Sequence, residues 1–179
     1  MIKGLIPRIR KNTKLLSALR FITVVLIVVN LVFIWCNSSK VSKESDKTSK
    51  KLATSVAEIV VEDYENLSRP QQNKHVARLN IKIRSMGHFM EFVPLGFLLF
   101  MLAVTLFDFR EKKLLNVFAF CLVFSLCLSA LFALSDEIHQ LFVKGRTFQA
   151  EDILTDTLGA FSGCIVSSIV TFIFKKKIL

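Results

Sequence analysis

Two short stretches of this chain concentrate side chains that can bind or move protons and anions. One is His88 and Glu91. The other runs through Ser135-Asp136-Glu137-Ile138-His139-Gln140, Lys144-Gly145-Arg146, Asp152 and Asp156. Carboxylates beside imidazoles are the ingredients of general acid–base chemistry. Arginine offers a planar fork that matches a phosphate or a carboxylate. Both stretches lie against segments apolar enough to enter a bilayer, where ionisable groups are costly to keep and are functional candidates by default.

Four elements must position these groups. A membrane-spanning helix needs about 20 mostly apolar residues. Leu15–Cys36, His88–Phe107, Leu114–Leu134 and Ile153–Phe174 meet that requirement in a chain of 179 residues that is 53% hydrophobic. Arg20 lies within the first and must snorkel to the interface. The third carries no charge. The expected fold is an all-α integral membrane protein with four transmembrane helices and a helical extracytoplasmic loop between the first and second. In residues, that is a basic cytoplasmic N-terminus over 1–14, spans over 15–36, 88–107, 114–134 and 153–174, an extracytoplasmic loop over 37–87 and a motif loop over 135–152.

Within the first loop, residues 37–51 are rich in Ser, Lys and Asp and read as a flexible stalk. Leu52, Val56, Ile59 and Val60 then fall at helical spacing, followed by Tyr64 and Leu67. Ser68 is a candidate N-cap and Pro70 a first-turn residue of a second amphipathic helix presenting Val76, Leu79 and Ile83.

Alternation of the spans has a consequence for the chemistry. The second span begins on the side where the third ends and the fourth begins. His88, Glu91, Asp136, Glu137, His139, Gln140, Arg146, Asp152 and Asp156 therefore share one end of the bundle, whichever way it is inserted. His88 and Glu91 are three apart on one helical face, and Asp152 and Asp156 are four apart on another. Gly159 and Gly163 continue the face of the two aspartates and permit close helix approach in lipid. These nine residues are the substrate-binding candidates. Lys144 reads as an interfacial anchor.

The formal charge of +10 is no nucleic-acid signal, because the basic residues sit in tails and connections. Lys3 to Arg20, the turn Asp108–Lys113 and Lys175–Lys177 all fall on one side of a four-span bundle, which places both termini in the cytoplasm of a multi-pass cell-membrane protein. The first span reads as uncleaved, since no Ala-x-Ala-like site follows Cys36 and bulky Trp35 disfavours a lipoprotein site. Cys36, Cys121, Cys127 and Cys164 form no CxxC and no disulfide framework. No HExxH, glycine-rich phosphate loop or Ser or Cys nucleophile motif is present, so no metal and no cofactor is expected. Three classes of function stay open: a binding or shielding protein for envelope precursors, a membrane enzyme acting on a lipid-linked or head-group substrate, and an accessory membrane protein whose polar cluster serves assembly.

At these residues the chain resembles the VanZ-like family, named for a teicoplanin-resistance membrane protein of Gram-positive bacteria. One block is Ile83-Arg84-Ser85-Met86-Gly87-His88-Phe89-Met90-Glu91-Phe92. The other comprises Asp136-Glu137-Ile138-His139-Gln140, Gly145-Arg146, Asp152 and Asp156. The resemblance covers about residues 20–175. Ser85 stands where the family usually has Lys, and Phe92 where it usually has Tyr; Arg84 or Lys82 would have to replace a Lys that paired with a carboxylate. The resemblance implies a protein that lowers the effect of glycopeptides, with membrane lipids and a lipid-linked peptidoglycan precursor as partners.

Overall fold

The computed structural model describes residues 13–106 and 113–178. Among the described residues five α-helices follow one another: α1 Thr13–Ser38, α2 Ser42–Val60, α3 Arg69–Leu106, α4 Leu114–Gln140 and α5 Ala150–Ile178, with a 3-10 turn at Tyr64–Asn66. Among the described residues there is no strand. Four of the helices are long and apolar enough to span a membrane: Leu16–Ser38, Arg69–Leu106, Leu114–Gln140 and Ala150–Ile173. The N-terminal basic segment through residue 12 and the basic turn at 107–112 lie outside the described residues.

The helices differ from the expected boundaries in three places, each for a physical reason. The amphipathic helix expected before residue 87 and the span expected from His88 are one helix, α3, of 38 residues. At about 1.5 Å per residue such a helix is about 57 Å long. That is well beyond the roughly 30 Å hydrocarbon core, so one end stands clear of it. Nothing between Pro70 and Pro94 breaks the helix, and Gly87 alone does not. Its start is capped by Ser68, whose backbone N–H and hydroxyl both donate to the Gln71 side chain, at 3.0 and 2.7 Å; this is the return half of a capping box.

The segment 37–51, expected as a stalk, is largely helical: α2 begins at Ser42 and packs on the protruding part of α3. The contact is made by Ala53 and Ala57 against Val76, with Tyr64, Leu79 and Ile83 around them. Leu52, Ile59 and Val60, which the spacing marked as the apolar face, are exposed. Alanines win the packing position because they let the two helix backbones approach closely.

The third difference concerns α4. It does not end at Leu134 but runs on to Gln140, through most of the motif. Ser135 to Gln140 contains no Gly or Pro, and the side chains of Asp136 and Gln140, four residues apart, pair along the helix. The chain turns at Gly145, whose φ of 81° is a conformation open to glycine and strained for other residues.

α3 and α5 form the most extensive interface. Glycines make it. A Cβ on Gly159 would overlap the Phe89 carbonyl, one on Gly163 the Val93 carbonyl, and one on Gly96 the Ala160 backbone. Cys164 donates from its Sγ to the Gly96 carbonyl at 3.3 Å across the same seam. All four cysteines are free thiols. At the far end of the bundle, α1 is pinned by Arg20, whose guanidinium donates to the Thr105 carbonyl, from Nε at 2.9 Å and also from Nη2. Thr105 is next to the last residue of α3, where the carbonyls have no intrahelical donor.

Candidate functional site

The polar residues gather where α3 passes the C-terminal end of α4 and the N-terminal end of α5. They fall into three groups. In the first, His88 on α3 stands between the two aspartates of α5, with Nε2 3.7 Å from Asp152 Oδ2 and Nδ1 3.5 Å from Asp156 Oδ1. These are ion-pair contacts and fall short of hydrogen-bond geometry. Asp156 is 0% exposed, and neither of its oxygens has a hydrogen-bond partner among the described residues, nor has His88 Nδ1. A buried carboxylate without hydrogen bonds is expensive, so this pair is where the fold has sacrificed stability. The small residues of the α3–α5 seam bring the two helices close enough for His88 to face both aspartates.

In the second group, the carboxylates of α4 are held by amides. Gln140 donates from Nε2 to Asp136 Oδ2 at 2.9 Å and to Glu137 Oε1 at 3.2 Å. Glu137 also accepts from the backbone N–H of Gln149 at 2.7 Å. Gln149 precedes the first residue of α5, so Glu137 supplies from another helix an acceptor at a terminus that favours negative charge. Glu137 and Gln140 are fully buried, as is most of Asp136.

In the third group, α1 reaches the site. Asn37 donates to Glu91 Oε1 at 2.9 Å, and Asn30 donates from Nδ2 to the Glu91 carbonyl at 3.4 Å. Pro94, three residues on, weakens the α3 ladder at this point because it has no N–H to give the carbonyl of Met90 and its ring crowds the preceding turn. Ser39 and His139 Nε2 share a hydrogen bond at 3.0 Å, and the Trp35 ring meets His139 edge-on with centroids 4.9 Å apart. None of Asn30, Trp35, Asn37 and Ser39 was among the nine candidates. Asn30 and Asn37 are seven apart on one face of an otherwise apolar span, and that intramembrane polarity was the available signal.

Arg146 lies in the α4–α5 turn, half-buried, with Nε 3.4 Å from the Lys40 carbonyl. Burial, reinforced by the Arg84 charge, brings its guanidinium below the ordinary arginine value, while Asp136, Asp152 and Glu137 act the other way. It therefore sits over the acidic cluster without a tight ion pair to any member. Lys144 is exposed and accepts from the Ser42 backbone through its carbonyl at 3.4 Å. Arg84 does not enter the cluster: it pairs at 3.6 Å with Asp46 of α2, at the surface. Ser85 faces Thr155 of α5 at 3.5 Å. Phe92 is buried and packs in an apolar cluster with Ile34, Leu95 and Ala133.

Chemically, the site offers a histidine clasped by two carboxylates, three further carboxylates on amides, and a loosely held guanidinium at the rim. Among the described residues no three His, Cys, Asp or Glu side chains converge as metal ligands.

Four apolar helices enclosing a polar cluster at one end define a multi-pass α-helical membrane protein with a built site at the bundle end. Within that class the chain belongs to the VanZ/LLP1 family, whose family model matches residues 21–172. No curated protein and no solved structure matches it.

Proposed function

We infer that this protein engages the head group of an envelope lipid or lipid-linked peptidoglycan precursor with the polar end of its bundle, and that this lowers susceptibility to teicoplanin-type glycopeptides. The observation that carries the reading is Asp156: a carboxylate fully buried between α3 and α5, with neither oxygen hydrogen-bonded, beside His88. Structural polar networks in lipid are normally satisfied. A cluster left short of partners at the end of four spans, at the depth of lipid head groups, suits a ligand that supplies them. Arg146 takes the phosphate or carboxylate of the ligand, His88 and His139 exchange hydrogen bonds with it, and the carboxylates orient the histidines. The short basic flanks put both termini in the cytoplasm and the site on the outer face of the cell membrane.

Expression of the full chain in a susceptible Gram-positive host tests this. The inhibitory concentration of teicoplanin, whose lipid tail holds it at the membrane, should rise more than that of vancomycin. Arg146→Ala and Glu137→Gln should each abolish the rise at unchanged protein level. A Cys at position 144, in a variant without native cysteines, should be labelled from outside the cell. A wild-type protein that reaches the membrane and shifts neither antibiotic overturns the reading.

A second reading is favoured by His88 standing between Asp152 and Asp156. This is the arrangement of an acid–base histidine oriented by carboxylates, and it suits a membrane enzyme acting on a lipid-linked substrate. Turnover of radiolabelled envelope lipid by purified protein, lost in His88→Gln, distinguishes it from binding alone.

A further inference from the structure

Beside the polar cluster, between α1, α3 and α4, lies a cavity of about 150 Å³ that shares Asp136 and His139 with it. Its walls include three aromatic rings from three helices: Trp35 of α1, Phe92 of α3 and Phe132 of α4. Its polar lining comes from α4, through Asp136, Ser135 and His139. We propose that this cavity binds an organic ammonium group, held by the Asp136 carboxylate and the aromatic walls.

The argument begins with Asp136. It is 8% exposed. The hydrogen bond that its carboxylate receives comes from a neutral amide, Gln140 Nε2 at 2.9 Å. Among the described residues no Lys, Arg or His nitrogen lies within 4 Å of it. Arg146 reaches it only through space, with its Nε on the Lys40 carbonyl. His139, its neighbour in the cavity, spends Nε2 on Ser39. A buried carboxylate in this state gains from a cation that brings its own charge.

The remaining lining selects what kind of cation. Aromatic faces carry a negative quadrupole and attract an ammonium placed within about 6 Å of the ring centroid. A small metal ion would ask for several oxygen ligands, where this cavity has mostly rings and aliphatic side chains. An anion would be repelled by Asp136 and by Glu137 and Glu91, which adjoin Asp136 and Phe92 in sequence. The size is consistent: a cavity of about 150 Å³ accommodates a guest of about six heavy atoms, the size of benzene. That admits a trimethylammonium or aminoethyl group and excludes a sugar. Trp35 is 59% exposed, and α1 touches α4 only sparsely, so the cavity communicates with its surroundings between those two helices.

The ammonium could arrive free or on a lipid head group. In the second case the inference deepens the lipid reading above and rests on it; the cavity's preference for a cation stands without it.

Trp35 is the one tryptophan in the chain, so its emission reports on the cavity. The full chain in nanodiscs of phosphatidylglycerol is titrated with tetramethylammonium, and separately with ethanolamine, against sodium at matched ionic strength. The expected result is a saturable change in Trp35 emission with the ammonium ions and not with sodium, weakened at least tenfold in Asp136→Asn. Phe132→Leu should weaken it as well, and serves as the deciding variant if Asp136→Asn does not fold. Nanodiscs containing phosphatidylethanolamine separate the sources. A lipid-borne ammonium shifts the emission before titration and competes with the soluble ion, whereas a free one is indifferent to the lipid. No saturable change in the wild type, or equal binding by both folded variants, overturns the proposal. Neither Arg146 nor Glu137 lines this cavity, so the antibiotic test can fail while ammonium binding holds, and the reverse.

Discussion

α5 and α1 flank the central helix α3 and are attached to it in opposite ways. α5 lies against α3 backbone to backbone, because Gly96, Gly159 and Gly163 have no Cβ to hold the helices apart. α1 contains no glycine. Its Val, Leu, Ile and Phe side chains keep it at a distance, and a cavity remains on each side: the one of about 150 Å³ toward α4, and one of about 520 Å³ toward α5 bordered by Asn30, Val93, Pro94 and Gly163. In lipid there is no hydrophobic force to close such gaps, since hydrocarbon tails are as apolar as the side chains. Tight packing therefore has to come from small residues, and a helix without them is held by individual polar contacts. For α1 these are Arg20 to Thr105 at one end and Asn30 and Asn37 to Glu91 at the other. The tight seam can support a buried charged pair because its geometry is over-determined. The loosely held helix leaves room for a ligand.

Substitutions can break this contrast or sharpen it. The largest effect belongs to the charged pair on the seam. His88→Leu leaves Asp152 and Asp156 without the imidazole that faces them both and should cost about 3–5 kcal/mol, the usual penalty for removing one side of a buried pair. Thermal unfolding in detergent would show it. His88→Leu combined with Asp156→Leu should recover most of the loss; if it does not, the pair is not what strains the seam. A smaller effect is expected at the glycines. Gly163→Val drives a side chain into the Val93 carbonyl, where only backbone can yield, and should cost about 3 kcal/mol, the upper part of the range for overpacking. A neutral Gly163→Val, read from the same melting curves, would mean that α5 slides freely on α3 and that the contrast with α1 is false. The smallest effect is expected on the outer face of α1. Val28 is largely exposed, and lipid replaces whatever it loses, so Val28→Ala should change stability by less than about 0.5 kcal/mol. A large loss there would show that α1 has a protein neighbour on that face.

Much of this architecture is legible in the residues themselves. Length and hydropathy mark four spans because a bilayer imposes a minimum apolar length on any helix that crosses it. Strict alternation then brings positions 88, 136–140 and 152–156 to one end without any knowledge of packing. Asp152, Asp156, Gly159 and Gly163 share a helical face by spacing alone.

Partner choice is what only the tertiary structure decided. Asn37 and Glu91 are 54 residues apart, and Ser39 and His139 are 100 apart; helical periodicity says which way a side chain points, never which distant side chain it meets. The same limit explains Arg84, which turns outward to Asp46 because α2 folds back along α3 instead of trailing as a stalk. It explains α2 itself, whose packing alanines carry too little hydrophobicity to stand out beside Leu52 and Ile59. And it explains the aromatic cavity: nothing in the spacing of Trp35, Phe92 and Phe132 says that three helices bring their rings to one cavity beside Asp136.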